Sequence, residues 1–198
     1  MIVKRVLNFF EILDEKIFFS LRFRYLTEKL QPYLLNAKEV LDVGSSDGRL
    51  AKHMQDALGI KFVGVDTKIQ KKSFIPVKVY NGRKLPFKNN SFNCVMLIDV
   101  IHHASNPELL IDEAKRVSKE YILIKDHYWE NIVGLFLLKI SDYVGNRPYG
   151  INLPYNFFNM KSWKRMIRKS NMKIVRFEKF RYNILDPCRH VIFKLKVN

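Results

Sequence analysis

Apolar residues recur at Val3, Val6, Leu7, Phe10, Leu13, Ile17, Leu21, Tyr25 and Leu26, and this spacing of three and four predicts helix over 3–35, with a boundary or kink near Pro32. After it the chain alternates. Apolar runs predict strands near 39–43, 61–65, 76–80, 93–98 and 120–125, and helical spacing predicts helices near 48–58 and 106–118 with a weak one near 68–73. Asn106-Pro107-Glu108 is a helix start: a capping side chain, a proline in the first turn, then an acid toward the positive end of the dipole. Helical patterns return at 129–142 and 161–170. Met172–Phe180 and Arg189–Val197 alternate in strand fashion. In the second, Val191, Phe193, Leu195 and Val197 face one way and His190, Ile192, Lys194 and Lys196 the other, which suits a sheet edge or hairpin. Strand–helix alternation predicts an α/β fold around a parallel sheet.

A length of 198 residues suits one α/β domain, and 47% hydrophobic with 27% charged residues is an ordinary globular balance. The longest apolar candidate, Ile132 to Ile140, contains Lys139 and is about half of what a membrane span needs. Met1-Ile2-Val3-Lys4-Arg5 is followed by acids and aromatics without a small-residue cleavage site, so no signal peptide is expected and the expected location is cytoplasmic. Cys94 and Cys188 are too few for a disulfide framework or a zinc site, so no metal is expected, and Cys94, in mid-strand, reads as a buried inert thiol. The net charge of +16 changes the list of partners rather than the fold. It fits attraction to anionic membrane lipids or to nucleic acid, or a host with a basic proteome.

The chemistry concentrates at Val40-Leu41-Asp42-Val43-Gly44-Ser45-Ser46-Asp47-Gly48, a strand running into a glycine turn that opens a helix. Such a turn lets backbone approach a ligand where side chains would collide. A diphosphate loop needs Gly-x-Gly-x-x-Gly, but Ser46 and Arg49 stand at the second and third glycine positions. The remaining Asp-x-Gly-x-x-x-Gly suits a ligand with a positive charge and an amino-acid end.

This segment resembles the first motif of the class I S-adenosylmethionine-dependent methyltransferases, with Ser46 in place of the middle glycine. Lys61-Phe62-Val63-Gly64-Val65-Asp66 follows as a second strand ending in an acid, suited to both hydroxyls of a ribose. The stretch from Asn81-Gly82 through Leu85-Pro86-Phe87 to Phe92-Asn93-Cys94-Val95 is similar to a family phrase, with Asn81 and Asn93 where aspartates are usual. Ile98-Asp99-Val100-Ile101-His102-His103 resembles the fourth-strand segment of the type 11, ubiquinone-biosynthesis-like branch.

The resemblance implies a Rossmann-like doubly wound sheet of about seven strands, mostly parallel with an antiparallel last strand inserted beside the sixth. It also implies an N-terminal helical cap, 1–36, ahead of a methyltransferase domain, 37–198. The implied cofactor is S-adenosyl-L-methionine. Its residues would be Gly44, Ser45, Ser46 and Gly48 around the amino-acid end and ribose, Asp42 facing the methionine amine, Asp66 and Thr67 at the ribose, Asn81 and Gly82 at the adenine, and Asp99. The amide oxygen of Asn81 can accept from the adenine amino group, more weakly than a carboxylate.

Acceptor-side candidates are Asp99, His102 and His103 after the fourth strand and Asp126 and His127 after the fifth, at the carboxyl ends where ligands sit, and His103 or His127, with Asp126 beside it, can deprotonate a hydroxyl. The aromatic stretch 142–158, rich in turn formers, is expected to form a lid or acceptor wall. Asn152-Leu153-Pro154-Tyr155 lies too late in the chain to serve as the Asn-Pro-Pro-Tyr motif of adenine-N6 methyltransferases. The expected acceptor is a small molecule or lipid-like compound, with peripheral contact to an anionic membrane as a further expectation. The alternatives are an RNA methyltransferase, on the strength of the charge, and a non-catalytic binding module that keeps the fold, on the strength of Ser46 and Asn81.

Overall fold

The computed structural model describes residues 20–68, 70–147, 150–184 and 186–197. The apolar runs become β1 (Glu39–Val43), β2 (Lys61–Asp66), β3 (Val77–Val79), β4 (Phe92–Ile98), β5 (Ser118–Trp129), β6 (Phe158–Asn159), β7 (Lys173–Phe180) and β8 (Arg189–Lys196). Among the described residues α1 covers 20–30. It is followed by α2 (Arg49–Leu58), α3 (Pro107–Val117), α4 (Ile132–Asn146) and α5 (Met160–Lys169). Residues 3–19 of the helical segment expected over 3–35 lie outside the described residues.

Three of the helices open on an asparagine whose side-chain oxygen accepts a backbone N–H. Asn106 takes Leu109 N at 3.0 Å, Asn131 takes Gly134 N at 2.9 Å and Asn159 takes Ser162 N at 2.9 Å. The Asn131 cap starts α4 three residues later than its apolar pattern suggests, and the helix runs on to Asn146, taking the first residues of the aromatic stretch into it. The weak helix expected near 68–73 does not form in its described residues. Lys68, Lys71 and Lys72 crowd that stretch, and like charges so close disfavour a helical turn.

The sheet has the order β3-β2-β1-β4-β5-β8-β7, with β6 pairing β5 off this path. Pairings are parallel except where β8 lies between β5 and β7. The inserted antiparallel strand is therefore the last one. It is not an edge: His190 through Phe193 are buried, and β7 is the outer strand. Strand order reverses between β1 and β4, and ligands in open α/β sheets sit in that crevice, at the carboxyl ends of the strands.

Alternate residues of each strand supply two core layers, as a period of two requires. Leu41, Leu97 and Phe193 pack with Ile111 of α3 and Trp163 of α5. Val40, Met96 and Ile192 pack on the other face with Leu26 and Leu30 of α1 and Met54 of α2. A smaller cluster of Leu138, Phe157 and Cys188 sits beneath α4. Cys94 is buried in β4, and burial pushes its thiol up to about 12, so it is inert. Among the described residues no helix is long and apolar enough to cross a membrane.

Candidate active site

The turn after β1 is built on left-handed backbone. Gly44, Ser46 and Gly48 have φ of 76°, 52° and 77°. At Gly44 a side chain is doubly excluded, because a Cβ would stand 2.4 Å from Val100 Cγ2 beyond β4. Ser46 adopts the same region without glycine's freedom, and Asp66 at the end of β2 holds it there: Asp66 Oδ2 accepts Ser46 N at 2.7 Å. Asp66 Oδ1 takes Lys68 N at 3.2 Å and Thr67 Oγ1 at 3.5 Å. Gly44 N and Ser45 N both point back to Val65 O, at 2.8 and 3.3 Å. The glycine loop and the second-strand acid thus form one hydrogen-bonded unit.

Gly64 allows Ser45 to sit against β2, since a Cβ there would be 2.5 Å from Ser45 Oγ. That hydroxyl is buried and has no hydrogen-bond partner. Gly48 caps α2 without a side-chain bond, so the helix start faces the crevice as backbone. Asp42 is buried beside Asp66, and burial together with that neighbouring charge pushes its carboxyl up to about 8. No ion pair to Asp42 exists among the described residues. A buried acid without a cation, an orphan hydroxyl and a bare helix start fit a ligand carrying an ammonium and a ribose.

Around the expected adenine end, Asn81 Oδ1 accepts Arg83 N at 3.0 Å and Lys84 N at 3.1 Å, so the side chain also shapes its own turn. Gly82 has φ of 74°, and a Cβ there would stand 3.6 Å from Thr67 Cγ2. The following Leu-Pro-Phe segment is clamped from α3. Glu113 accepts Leu85 N at 2.8 Å, and Arg116 donates to Leu85 O at 3.0 Å, Phe87 O at 2.8 Å and Asn89 Oδ1 at 3.0 Å. This clamp went unseen in the sequence. The only trace of it is Glu113 and Arg116 at helical spacing, which also fits an ordinary surface pair.

Asp99, directly after β4, has φ of 53° and sits among cations. Lys125 Nζ lies 2.7 Å from each of its oxygens and Arg22 Nη2 lies 2.9 Å from Oδ2. Lys125 is fully buried, yet its pKa rises, because Asp99 outweighs the cost of burial. Lys125 and Arg22 hold Asp99 well below the usual carboxylate range against that same burial.

Beyond it the carboxyl ends of β4, β5 and β8 gather histidines. Asp126, buried in β5, accepts Ile101 N at 3.1 Å, His102 N at 3.3 Å and His127 N at 2.7 Å, and lies 2.6 Å from His102 Nδ1. It is a positioning group, with no free face for an acceptor. Burial alone would lower His102, but Asp126 raises it to about 10. Burial lowers His103, with His102 adding to the shift. Burial also lowers His127, against the pull of Asp99. Both are neutral near pH 7 and able to take a proton. His127 faces His190 across the β5–β8 pairing, with ring centroids 4.6 Å apart.

The stretch after α4 walls this cluster: Asn152 O lies 3.1 Å from His103 Nδ1, and Phe157 stacks on His102 at 5.0 Å between centroids. Among the described residues, three groups bring ligand atoms within 4.8 Å of one another: Asp99, His127 and His190; His102, Asp126 and His127; and His102, His103 and Asp142. His190 was not among the candidates read from the sequence, and Asp142 entered there only as the first residue of the aromatic stretch.

A doubly wound sheet with its last strand inserted antiparallel, a left-handed loop at the switch point and an acid ending β2 are the features of the class I S-adenosylmethionine-dependent methyltransferase fold. The family model described as a methyltransferase domain matches residues 18–176, most of the chain, and the chain belongs to that family. A S-adenosylmethionine-dependent methyltransferase of Thermotoga maritima superposes with a TM-score of 0.63 at 20% identity, covering 96% of this chain and 97% of that one. One from Methanosarcina mazei gives 0.64 at 17%, covering 84% and 95%. The [4+2]-cyclase SpnF gives 0.64 at 13%, covering 87% and 79%, so the fold by itself does not dictate the reaction. An uncharacterized protein of Methanocaldococcus jannaschii is 37% identical over 79 residues, which are 40% of this chain and 38% of that relative's length.

Proposed function

We propose that the chain methylates a hydroxyl of a lipid-like or small apolar acceptor bound between the Gly44–Gly48 loop and α4. S-adenosylmethionine supplies a methyl group on a positively charged sulfur. The backbone of Gly44, Ser45 and Gly48 would border its amino-acid end, with Asp42 balancing the ammonium and Asp66 the ribose hydroxyls. Asn81 and Gly82 would border the adenine. The chain's own task is alignment and exclusion of water, worth up to about 7–11 kcal/mol in such displacements. His127 is the residue assigned to take the hydroxyl proton, since it is neutral and its Nδ1 lies 3.4 Å from Asp126 Oδ1 and 3.5 Å from Asp99 Oδ1.

The observation that carries the lipid reading is the two-sided character of α4. Its inner face brings Leu138 and Asp142 to the site, while Ile132, Val133, Phe136, Ile140 and Val144 are exposed on the outer side. An exposed apolar helix on a chain of net charge +16 suits the surface of an anionic bilayer. The basic charge also supports the RNA alternative, but RNA offers nothing to the apolar outer face of α4.

Two assays test this. Vesicles with and without anionic lipid should both be compared for co-sedimentation, and wild-type protein should pellet only with the anionic ones, less so after Phe136→Ser. Methyl transfer from labelled cofactor should then appear in the lipid fraction of an extract. Transfer into RNA that survives physiological salt would replace this reading.

A further inference from the structure

We propose that His102, His103 and Asp142 form a binding site for a divalent transition-metal ion of the zinc class. His102 Nε2 lies 3.8 Å and His103 Nε2 3.5 Å from Asp142 Oδ1. These separations are long for hydrogen bonds. They are close to the edge of a tetrahedron with zinc-like bond lengths, about 3.4 Å from metal–ligand distances near 2.1 Å. Two imidazoles and one carboxylate are a donor set for zinc and its neighbours, with one position left for an oxygen ligand.

Each donor is also held from behind. His102 Nδ1 meets Asp126 Oδ1 at 2.6 Å, which orients the ring with Nε2 toward the site, where an ion would displace the second ring proton. His103 Nδ1 meets Asn152 O at 3.1 Å, and Asn146 Nδ2 donates to Asp142 Oδ1 at 2.7 Å. A second, independent sign is Asp142 Oδ2, which is buried and has no hydrogen-bond partner. Oδ1 is the oxygen measured against both histidines and already takes Asn146, so the orphan Oδ2 is relieved only by an ion that both carboxylate oxygens share.

The other two clusters compare poorly. Asp99 in the first already carries Lys125 and Arg22 at 2.7 and 2.9 Å, so a dication would face two cations. In the second, the 2.6 Å separation of His102 Nδ1 and Asp126 Oδ1 is a hydrogen bond and too short for two ligands on a common ion. His103, with its side chain 16% exposed, gives the chosen site an entrance. An ion there would offer its open position to an anionic or hydroxyl oxygen of the acceptor and lower that group's pKa. The site does not depend on which acceptor is methylated.

The test is a titration of chelator-stripped protein with Co2+, whose visible bands report tetrahedral coordination, followed by Zn2+. We expect one equivalent of Co2+ bound, displaced by Zn2+. Asp142→Asn and His103→Gln should each weaken binding at least tenfold while circular dichroism and cofactor binding show both variants folded. Folded wild-type protein that binds no Co2+ would overturn the proposal and leave His102 as a protonated bridge between Asp126 and Asp142. So would binding that both variants retain, which would place the ion on surface groups. Cofactor binding read in the same samples separates failure of this site from failure of the methyltransferase reading.

Discussion

Asp66 Oδ2 accepts the backbone N–H of Ser46 at 2.7 Å, so an acid at the end of β2 holds the turn after β1 in its left-handed form. This bond adds a side-chain tie to the backbone bonds that Gly44 N and Ser45 N make to Val65 O at the carboxyl ends of the two parallel strands. Asp66→Ala removes it together with the assigned ribose contacts. The expected loss of S-adenosylmethionine affinity is roughly 2–3 kcal/mol, about 30- to 150-fold, from hydrogen bonds to a charged acceptor. Equilibrium dialysis with labelled cofactor measures it. An unchanged dissociation constant would show that Asp66 serves the loop alone.

Asp42, held up to about 8, sets a pH dependence. The native state binds more protons than the unfolded chain between the ordinary carboxylate value and 8, so this group's contribution to stability declines as pH rises through that window. A bound ammonium favours the ionised form and releases the proton. Cofactor affinity should therefore climb from pH 6 toward 8 and level off above it, whereas Asp42→Asn should bind more weakly with a flat profile. Calorimetry in buffers of different ionisation enthalpy counts the released proton.

Gly44 and Gly145 separate two uses of glycine. Gly44→Ala forces a Cβ to within 2.4 Å of Val100 Cγ2 at φ of 76°, and should lower the melting temperature and abolish cofactor binding. Gly145→Ala, in α4 with nothing within 4 Å of the new Cβ, should stabilise by up to about 1 kcal/mol. Thermal unfolding of both variants tests the pair, and equal effects would contradict the reading of the loop.

Arg116→Met leaves Leu85 O and Phe87 O without the side-chain donor and Glu113 with Leu85 N alone. The expected cost is roughly 1–3 kcal/mol in denaturant unfolding, with weaker cofactor binding, because the loop that follows Asn81 loses its clamp. Unfolding that shifts while cofactor affinity holds would confine Arg116 to stability.

The strands, the glycine turn and the acid after β2 were legible because each is local: a run of apolar residues, a turn that excludes side chains, a fixed spacing. The boundaries of α4 were less so, since its outer face is apolar and the period alone does not mark where Asn131 begins the helix. Asp142, His190 and the Glu113–Arg116 clamp were invisible for another reason. Their partners are distant in the chain: Asp142 meets His103 and His190 meets His127 only once β5, β8 and α4 are assembled. Asp99 illustrates the converse. Its place after β4 was readable, but its engagement by Lys125 and Arg22 was not.

Titration calorimetry of the wild-type protein with S-adenosylmethionine tests the central claim most directly. One equivalent should bind, S-adenosylhomocysteine should compete for the same site, and nicotinamide dinucleotides should give no heat. Absence of any heat up to millimolar S-adenosylmethionine would contradict the account.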